Sequence, residues 1–485
     1  MLIRSEKRAR LLPVLTAVSA AALLTACAVG PRAPDAALPP QASGALIGSA
    51  APNAALAVSA AEVREDWWRL YNDATLDGLI AQAFAENNEL EAAEANLRAV
   101  RASLSESRAG RLPTTALSAS GTRSRASAAT VPGSNGATQD EADAYSVGLD
   151  VGYEIDLFGR VGSAIRAARA DADAAAAARD LVRITVAAET ARAYADACSA
   201  NAQIAVAERT VELQVDTARL TQTLLDNGAG TGLDAARARS ALASTRATLP
   251  GLAAQRDAAL FRLATLTGRT PSEASQDARR CMRAPQLSQP IPVGDGAALL
   301  ARRPDVRQAE RNLAAAAARV NVATASLFPT ISLGGSIGST ALDSSDLGED
   351  GNIRFSFGPL ISWSFPNIAV ARARIAQTGA LSEAALATFD QTVLAALQET
   401  ETALSAYANE LDRRTALTEA RDEAATAARL SRQRFQAGAD SFLTVLDAER
   451  TLASADAALA ASDALVTSYQ ITLFKALGGG WRQES

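Results

Sequence analysis

The chain carries itself twice. Residues 85–117 contain A-E-N-N-E-L-E-A-A-E-A-N-L and then R-L-P-T-T-A-L. A shift of 216 positions brings A-R-R-P-D-V-R-Q-A-E-R-N-L and then L-F-P-T-I-S-L, so that Glu94 meets Glu310, Leu97 meets Leu313 and Pro113 meets Pro329. Further on the shift falls to 210: Gly148 meets Gly358, Tyr153 meets Trp363, Ile165 meets Ile375, Gly228 meets Gly438 and Gly268 meets Gly478. The lost six residues belong near 121–145 of the first copy, where R-A-S-A-A-T-V-P-G-S-N-G-A-T-Q reads as a loop.

Each copy reads helix, two strands, long helix, turn, helix. Alternation marks the strands. Tyr145, Val147, Leu149, Val151, Tyr153 and Ile155 interleave with Ser146, Gly148, Asp150, Gly152, Glu154 and Asp156. Phe355, Phe357, Ile361, Trp363 and Phe365 interleave with Ser356, Gly358, Ser362 and Ser364, although Pro359 and Leu360 blur the middle. Partner strands start at Pro113 and Pro329, with Ile331, Leu333 and Ile337 facing one way. Such strands fit a membrane barrel with lipid outside and water inside, and fit a half-buried soluble sheet equally well. Four strands cannot close a barrel, whereas three copies would supply twelve, so a barrel demands a trimer.

No proline interrupts the helical pattern from about Val161 to Asn227 or from about Ile368 to Ala437. At 1.5 Å per residue, about 65 residues reach on the order of 100 Å. Shorter return helices, about Gly232–Thr267 and Ser441–Leu477, would pack antiparallel on the long ones. Leu, Val and Ala recur at three- and four-residue intervals, with Arg, Glu and Asp between them, which suits coiled packing with close approach of helices.

The N-terminus is a leader. Arg4, Lys7, Arg8 and Arg10 precede an apolar run from Leu11 to Leu24, too short for a stop-transfer helix. It ends in Leu24-Thr25-Ala26-Cys27, which resembles the bacterial lipobox, and Ala28 is not the Asp that holds such lipoproteins at the inner membrane. That resemblance implies cleavage after residue 26 and lipid on Cys27, as diacylglycerol and an N-acyl chain, each buried methylene adding roughly 0.8 kcal/mol of anchorage. Losing the leader's four basic residues and Glu6 takes the net charge from −6 to about −9. An acidic chain without a basic tract is no nucleic-acid binder. It contains no histidine, which removes His-based acid–base chemistry, Ser-His-Asp triads and His metal sites. No catalytic residue, metal or cofactor is expected. Cys198 and Cys281 are far apart in sequence and unpaired thiols are expected.

Several ordered motifs span nearly the whole mature chain: Trp67-Trp68 with Leu76 and Leu79, Tyr153-Glu154-Ile155-Asp156-Leu157-Phe158-Gly159-Arg160, Arg302-Arg303-Pro304-Asp305-Val306-Arg307 running into Ala309-Glu310, Phe328-Pro329, Gly358-Pro359 with Trp363, and Lys475-Ala476-Leu477-Gly478-Gly479-Gly480-Trp481. In these the chain resembles the outer-membrane efflux protein family, the TolC-like factors, and within it the NodT-type lipoproteins. The resemblance implies a mixed α+β membrane protein: a homotrimer whose twelve-stranded outer-membrane β-barrel, four strands per chain, sits above a long α-helical periplasmic tunnel. It also implies a non-enzymatic exit duct serving an inner-membrane pump of the resistance-nodulation-division type through a periplasmic adaptor (a membrane fusion protein). The expected segments are leader 1–26, lipidated extended segment 27–66, first repeat 67–270, equatorial linker 271–296, second repeat 297–478 and tail 479–485.

The resemblance also assigns roles at the periplasmic tip. Two turns, with Asn227, Gly228 and Gly230 in the first and Gly438 and Asp440 in the second, would meet the adaptor, while glycine serves simply to reverse the helix. Leu443, Asp447 and Arg450 lie on one helix face and match positions that constrict the closed tip, as does Asp234 in the first copy. Three crowded Asp447 carboxylates would collect cations. A duct for protein secretion, a periplasm-spanning structural lipoprotein and, more remotely, a carboxylate-dependent enzyme are the competing readings.

Overall fold

A computed structural model describes residues 29–479 apart from 33, 39–41, 43, 45, 51–56, 131–139, 288 and 364–367. The leader, Cys27 and residues 480–485 lie outside the described residues. Among the described residues two compact units emerge: one from 29–36 with 98–174 and 310–388, the other from 37–97, 175–309 and 389–479. The elements in order are β1 (Val58–Ser59), α1 (Ala74–Glu86), α2 (Asn88–Ala109), β2 (Thr114–Arg125), β3 (Glu141–Ile155), α3 (Arg160–Asp226), α4 (Gly232–Arg246), α5 (Leu249–Leu266), α6 (Gln276–Arg280), β4 (Ile291–Pro292), α7 (Gly296–Arg302), α8 (Pro304–Ala325), β5 (Thr330–Ala341), β6 (Ile353–Ser362), α9 (Ile368–Gln436) and α10 (Phe442–Ala476).

The first unit is built on an antiparallel sheet in the order β2-β3-β5-β6. Register decides what each face carries. Leu117 pairs with Leu149, Leu149 with Ile337 and Ile337 with Phe355, and beside them Tyr153 pairs with Leu333 and Ile155 with Ile331. The alternate row is small and polar: Ser118 opposite Gly148, Ser146 opposite Ser120, Asp150 opposite Ser336, Gly358 opposite Gly334. Both hairpins place the same hydroxyl pair on that row, Ser120 with Ser146 and Ser336 with Ser356, each 2.8 Å apart. Among the described residues the apolar row is uncovered, with Phe355 82% exposed and Phe357 77%. Strand β6 runs unbroken through Pro359, opposite Leu333. Within a single chain β6 is an edge strand, a place where a sheet admits a proline.

Below the sheet, the Asp156 carboxylate accepts the Val161 and Gly162 amides at 2.9 and 2.6 Å and caps α3. Phe158 and Phe328, each beside a strand end, stack at 4.7 Å.

The second unit holds the main core. Trp67 is fully buried and stacks on Phe474 at 4.8 Å, among Leu76, Ile80, Leu260, Leu263 and Ile471. Asp73 caps α1 through the Thr75 and Leu76 amides and also accepts the Tyr194 hydroxyl at 2.9 Å. Burial, and then this carboxylate, push the Tyr194 phenol far above its ordinary range.

Here the duplication becomes a repeated contact. In the first copy the Asn87 amide donates to the Leu266 carbonyl at 2.9 Å, and Gly268 (φ +70°) lies so close to Glu86 that a Cβ would sit 2.4 Å from its carbonyl oxygen. In the second, the buried Arg303 donates to the Ala476 carbonyl at 2.8 Å, and Gly478 (φ +71°) lies on Arg303 itself. Each bond satisfies a carbonyl at the C-terminus of a return helix, which has no partner inside the helix. Arg303 also holds Asp305 at 2.6 Å and Glu399 at 2.7 Å. Burial works against its charge, but the two carboxylates outweigh that and raise its pKa.

Two expectations need correction. The first return helix is not continuous: α4 ends at Arg246 and α5 begins at Leu249 with Pro250 in its first turn. A proline inside the helix would lose an amide bond and clash with the preceding turn, so a new helix starts there. And Cys198 and Cys281 are joined in a disulfide. Helix α6 turns the linker back onto α3, bringing the two Cα atoms to 4.9 Å, within bridging range. Asn201 fixes the same spot by donating to the Arg279 and Cys281 carbonyls at 3.0 and 2.8 Å.

A bridge of this loop length contributes about 2–4 kcal/mol. Cys281→Ser, or reduction of the wild type, is therefore expected to speed tryptic cleavage after Arg279, Arg280 and Arg283 by roughly tenfold or more, read by mass spectrometry of the folded protein. Equal cleavage in oxidised and reduced protein would show that Asn201 and the core hold the linker alone.

Candidate functional site: a two-faced sheet and a helical tip

Two features can do work: the sheet with its unlike faces, and the far end of the helices. The tip forms where α3 turns into α4 and α9 into α10. Gly228 and Gly438 both take φ +71°, and in both turns the amide of the following Ala bonds back five residues, Ala229 to Leu224 at 2.8 Å and Ala439 to Arg434 at 2.9 Å. This left-handed stop needs glycine, because a side chain would be strained there. Gly230 presses on Leu224 and Leu225, a Cβ there meeting them at 3.0 Å. Asn227 closes the last turn of α3 through its amide to Thr223.

The turns are locked by local charges. Asp440 takes two bonds from Arg434 at 2.7 and 3.0 Å, and that guanidinium holds its carboxyl below the usual carboxylate range. Thr231 caps α4 through the Asp234 amide and donates its hydroxyl to the Asp234 carboxylate at 2.6 Å. Both carboxylates are thereby engaged within their own turns.

Leu443, Asp447 and Arg450 share an exposed strip of α10, Leu443 being 53% exposed. The opposite strip, Phe442, Val445, Leu446 and Glu449, is buried. Phe442 and Leu446 pack with Ala238 and Ala241 of α4, and Phe435 meets Phe442 edge-on at 5.9 Å. This small core joins the two hairpins. The three strip residues are brought together in one line, while Asp234 belongs to the other hairpin; Asp447 and Arg450 form no ion pair among the described residues.

Sequence reasoning missed Glu449. It is buried, accepts Arg432 of α9 at 2.6 Å and the Thr217 hydroxyl of α3 at 3.1 Å, and so ties three helices near the tip. The signal was present: 442, 445, 446 and 449 are one helical stripe, and a carboxylate on the inward stripe implies a partner. Above it, Arg421–Asp456 at 2.8 Å and Arg414–Asp463 at 2.5 Å continue the pairing of α9 with α10. Among the described residues no helix is long and apolar enough to cross a membrane.

The family described as "outer membrane efflux protein" matches residues 79–269 and 297–479, one stretch in each copy. The pyoverdine export outer membrane protein OpmQ of Pseudomonas aeruginosa is 32% identical over 481 residues, covering 97% of both chains. The toluene efflux pump outer membrane protein TtgC of Pseudomonas putida is 31% identical over 463 residues, 94% of this chain and 92% of its own. Among solved structures, the outer-membrane channel OprN superposes with a TM-score of 0.87 at 35% identity, over 94% of this chain and all of that one. On the two-faced sheet, the paired tip turns and these full-length likenesses, the chain belongs to the outer membrane efflux protein family: it is an outer-membrane exit channel, and its work is conduction, not catalysis.

Proposed function

We propose that three copies close a twelve-stranded barrel, and that the closed cylinder is the passive outer-membrane exit of a tripartite efflux system. One observation carries this: the sheet has an uncovered apolar face, a Ser- and Gly-rich face behind it, and two open edges, β2 and β6. Open edges are intolerable in hydrocarbon, and pairing β6 of one copy with β2 of the next removes all of them at the third copy. The apolar row then meets outer-membrane lipid and the Ser/Gly row lines a wet lumen. A periplasmic adaptor would dock at the turns around Gly228 and Gly438, and an inner-membrane pump of the resistance-nodulation-division type would deliver cargo. The relatives' cargoes, pyoverdine and toluene, make small organic molecules the cargo class for this chain.

The exposed α10 strip gives the tip a gate. Three Leu443 side chains would form an apolar ring and three Asp447 carboxylates a charged one, with Arg450 pairing to the neighbouring copy. The Glu449 tie to Arg432 and Thr217 supports this, because it fixes which strip of α10 is left to face the axis. Cys27 supplies a second, lipid attachment.

An arginine on the lipid face of a barrel costs about 2–4 kcal/mol near the midplane. Leu149→Arg is therefore expected to abolish the heat-modifiable trimer in outer-membrane fractions, while Ser146→Arg on the other row leaves it formed and lowers conductance. Equal behaviour of the two variants would refute the facing. Asp447→Ala, alone and with Leu443→Ala, is expected to raise closed-state conductance in planar bilayers several-fold and to weaken block by divalent cations; unchanged leakage would remove the gate from this strip. Cys27→Ser should end incorporation of labelled palmitate, with the barrel still assembled. Retained label would place the lipid elsewhere.

A further inference from the structure

The first unit contains a groove of ≈ 600 Å³ that the reading above leaves unused; Arg160, Asp171, Arg319, Ser326, Arg374 and Gln377 line its polar part. Its floor is apolar, with Ala164, Ala168 and Val322. Two independent contacts place it on the side of the Ser/Gly row. First, Glu154 belongs to that row of β3, and its carboxylate takes two bonds from Arg160, at 2.9 and 2.5 Å, so Arg160 carries the row onward into α3. Second, the opposite side of the same helices is occupied. Arg169 and Asp173 of α3, with Arg311 and Asn321 of α8, lie roughly 130° around their helix axes from the groove residues. There the N-terminal segment sits on α8: a Cβ on Gly30 would fall 1.9 Å from the Asn321 Oδ1.

Charge in the groove does not balance. Arg160 is matched by Glu154 and Arg319 by Asp171 at 2.6 Å. Arg374 is exposed and has no carboxylate partner among the described residues. The Gln377 amide stands one turn further along α9, exposed, as a neutral donor. A guanidinium beside neutral donors, over a floor that accepts carbon, suits an amphiphilic anion, since the planar fork binds carboxylate or phosphate through two parallel bonds.

We propose that this groove is an anion-binding station on the lumen wall, one per copy, that takes carboxylate- or phosphate-bearing cargo through Arg374. The inference rests on the Ser/Gly row being the lumen. It predicts a local positive potential inside a chain that is acidic overall, so anionic cargo would pause here, beside the barrel, before leaving.

A reporter thiol reads that potential. The native cysteines of the described chain are bridged, so Gln377→Cys adds one free thiol to the full-length trimer in liposomes. Its modification by an anionic methanethiosulfonate is expected to outpace that by a cationic one. Adding Arg374→Gln should lower the anionic-to-cationic rate ratio about five-fold at low ionic strength, an effect that salt compresses. Citrate or inorganic phosphate should protect the thiol when Arg374 is present and not in Arg374→Gln. A ratio indifferent to Arg374, in channels that still conduct, overturns the anion station alone. A thiol that neither reagent reaches through the lumen, while Arg169→Cys reacts there freely, overturns the facing of the sheet and the station with it.

Discussion

An unpaired strand edge in hydrocarbon leaves peptide amides and carbonyls with nothing to bond, and nearly everything in this chain follows from avoiding that. The four-stranded sheet of one copy has two such edges. A soluble protein would cover its apolar row with helices, and here no helix of the unit does so, because Phe355, Phe357 and Ile361 remain exposed. In the proposed trimer, closing the edges with sister copies would convert a chain of unlike faces into a wall with lipid on one side and water on the other. The long helices would then take the same circular arrangement, since β3 runs almost directly into α3 and β6 is followed closely by α9.

Duplication explains how one chain supplies two near-equal hairpins of one sheet without two separate inventions. The equivalence is chemical and not merely topological. Asn87 and Arg303 differ in charge and size, yet each caps the carbonyl that ends a return helix, and each neighbours a left-handed glycine that permits the approach. In the second copy Asp305 and Glu399 surround the arginine, which makes the R-R-P-D segment a buried ionic node where the first copy has a neutral amide.

Much of this was legible in the residues. Alternation over 145–155 marked β3 because sidedness is a local property with a period of two, and the long helices were legible because nothing in 161–226 breaks a turn. The landmarks Gly228 and Gly438 announced the tip because a left-handed stop has few alternatives. What stayed hidden depends on distant partners. The disulfide joins residues separated by 83 positions, and only the path of α6 brings them together. Asp234 reads as a gate position and Asp440 as a residue of an adaptor-facing turn; the engagement of their carboxylates by Thr231 and Arg434 emerges only in the fold. Glu449 could have been found by asking why a charge sits on a buried stripe; Arg374 could not, because its meaning lies in a carboxylate that is absent beside it.

The break before Pro250 has a symmetry consequence. In the proposed trimer, two like repeats in each of three copies would make a ring that approximates six equal sectors, and at the tip that approximation is good, since both turns share one backbone geometry. At the height of Ala247 and Thr248 it fails, because α10 passes the corresponding level as an unbroken rod. A protein gripping the ring end-on would therefore encounter six almost interchangeable seats, whereas one embracing it at the interruption would find two kinds of seat in alternation and could count only to three.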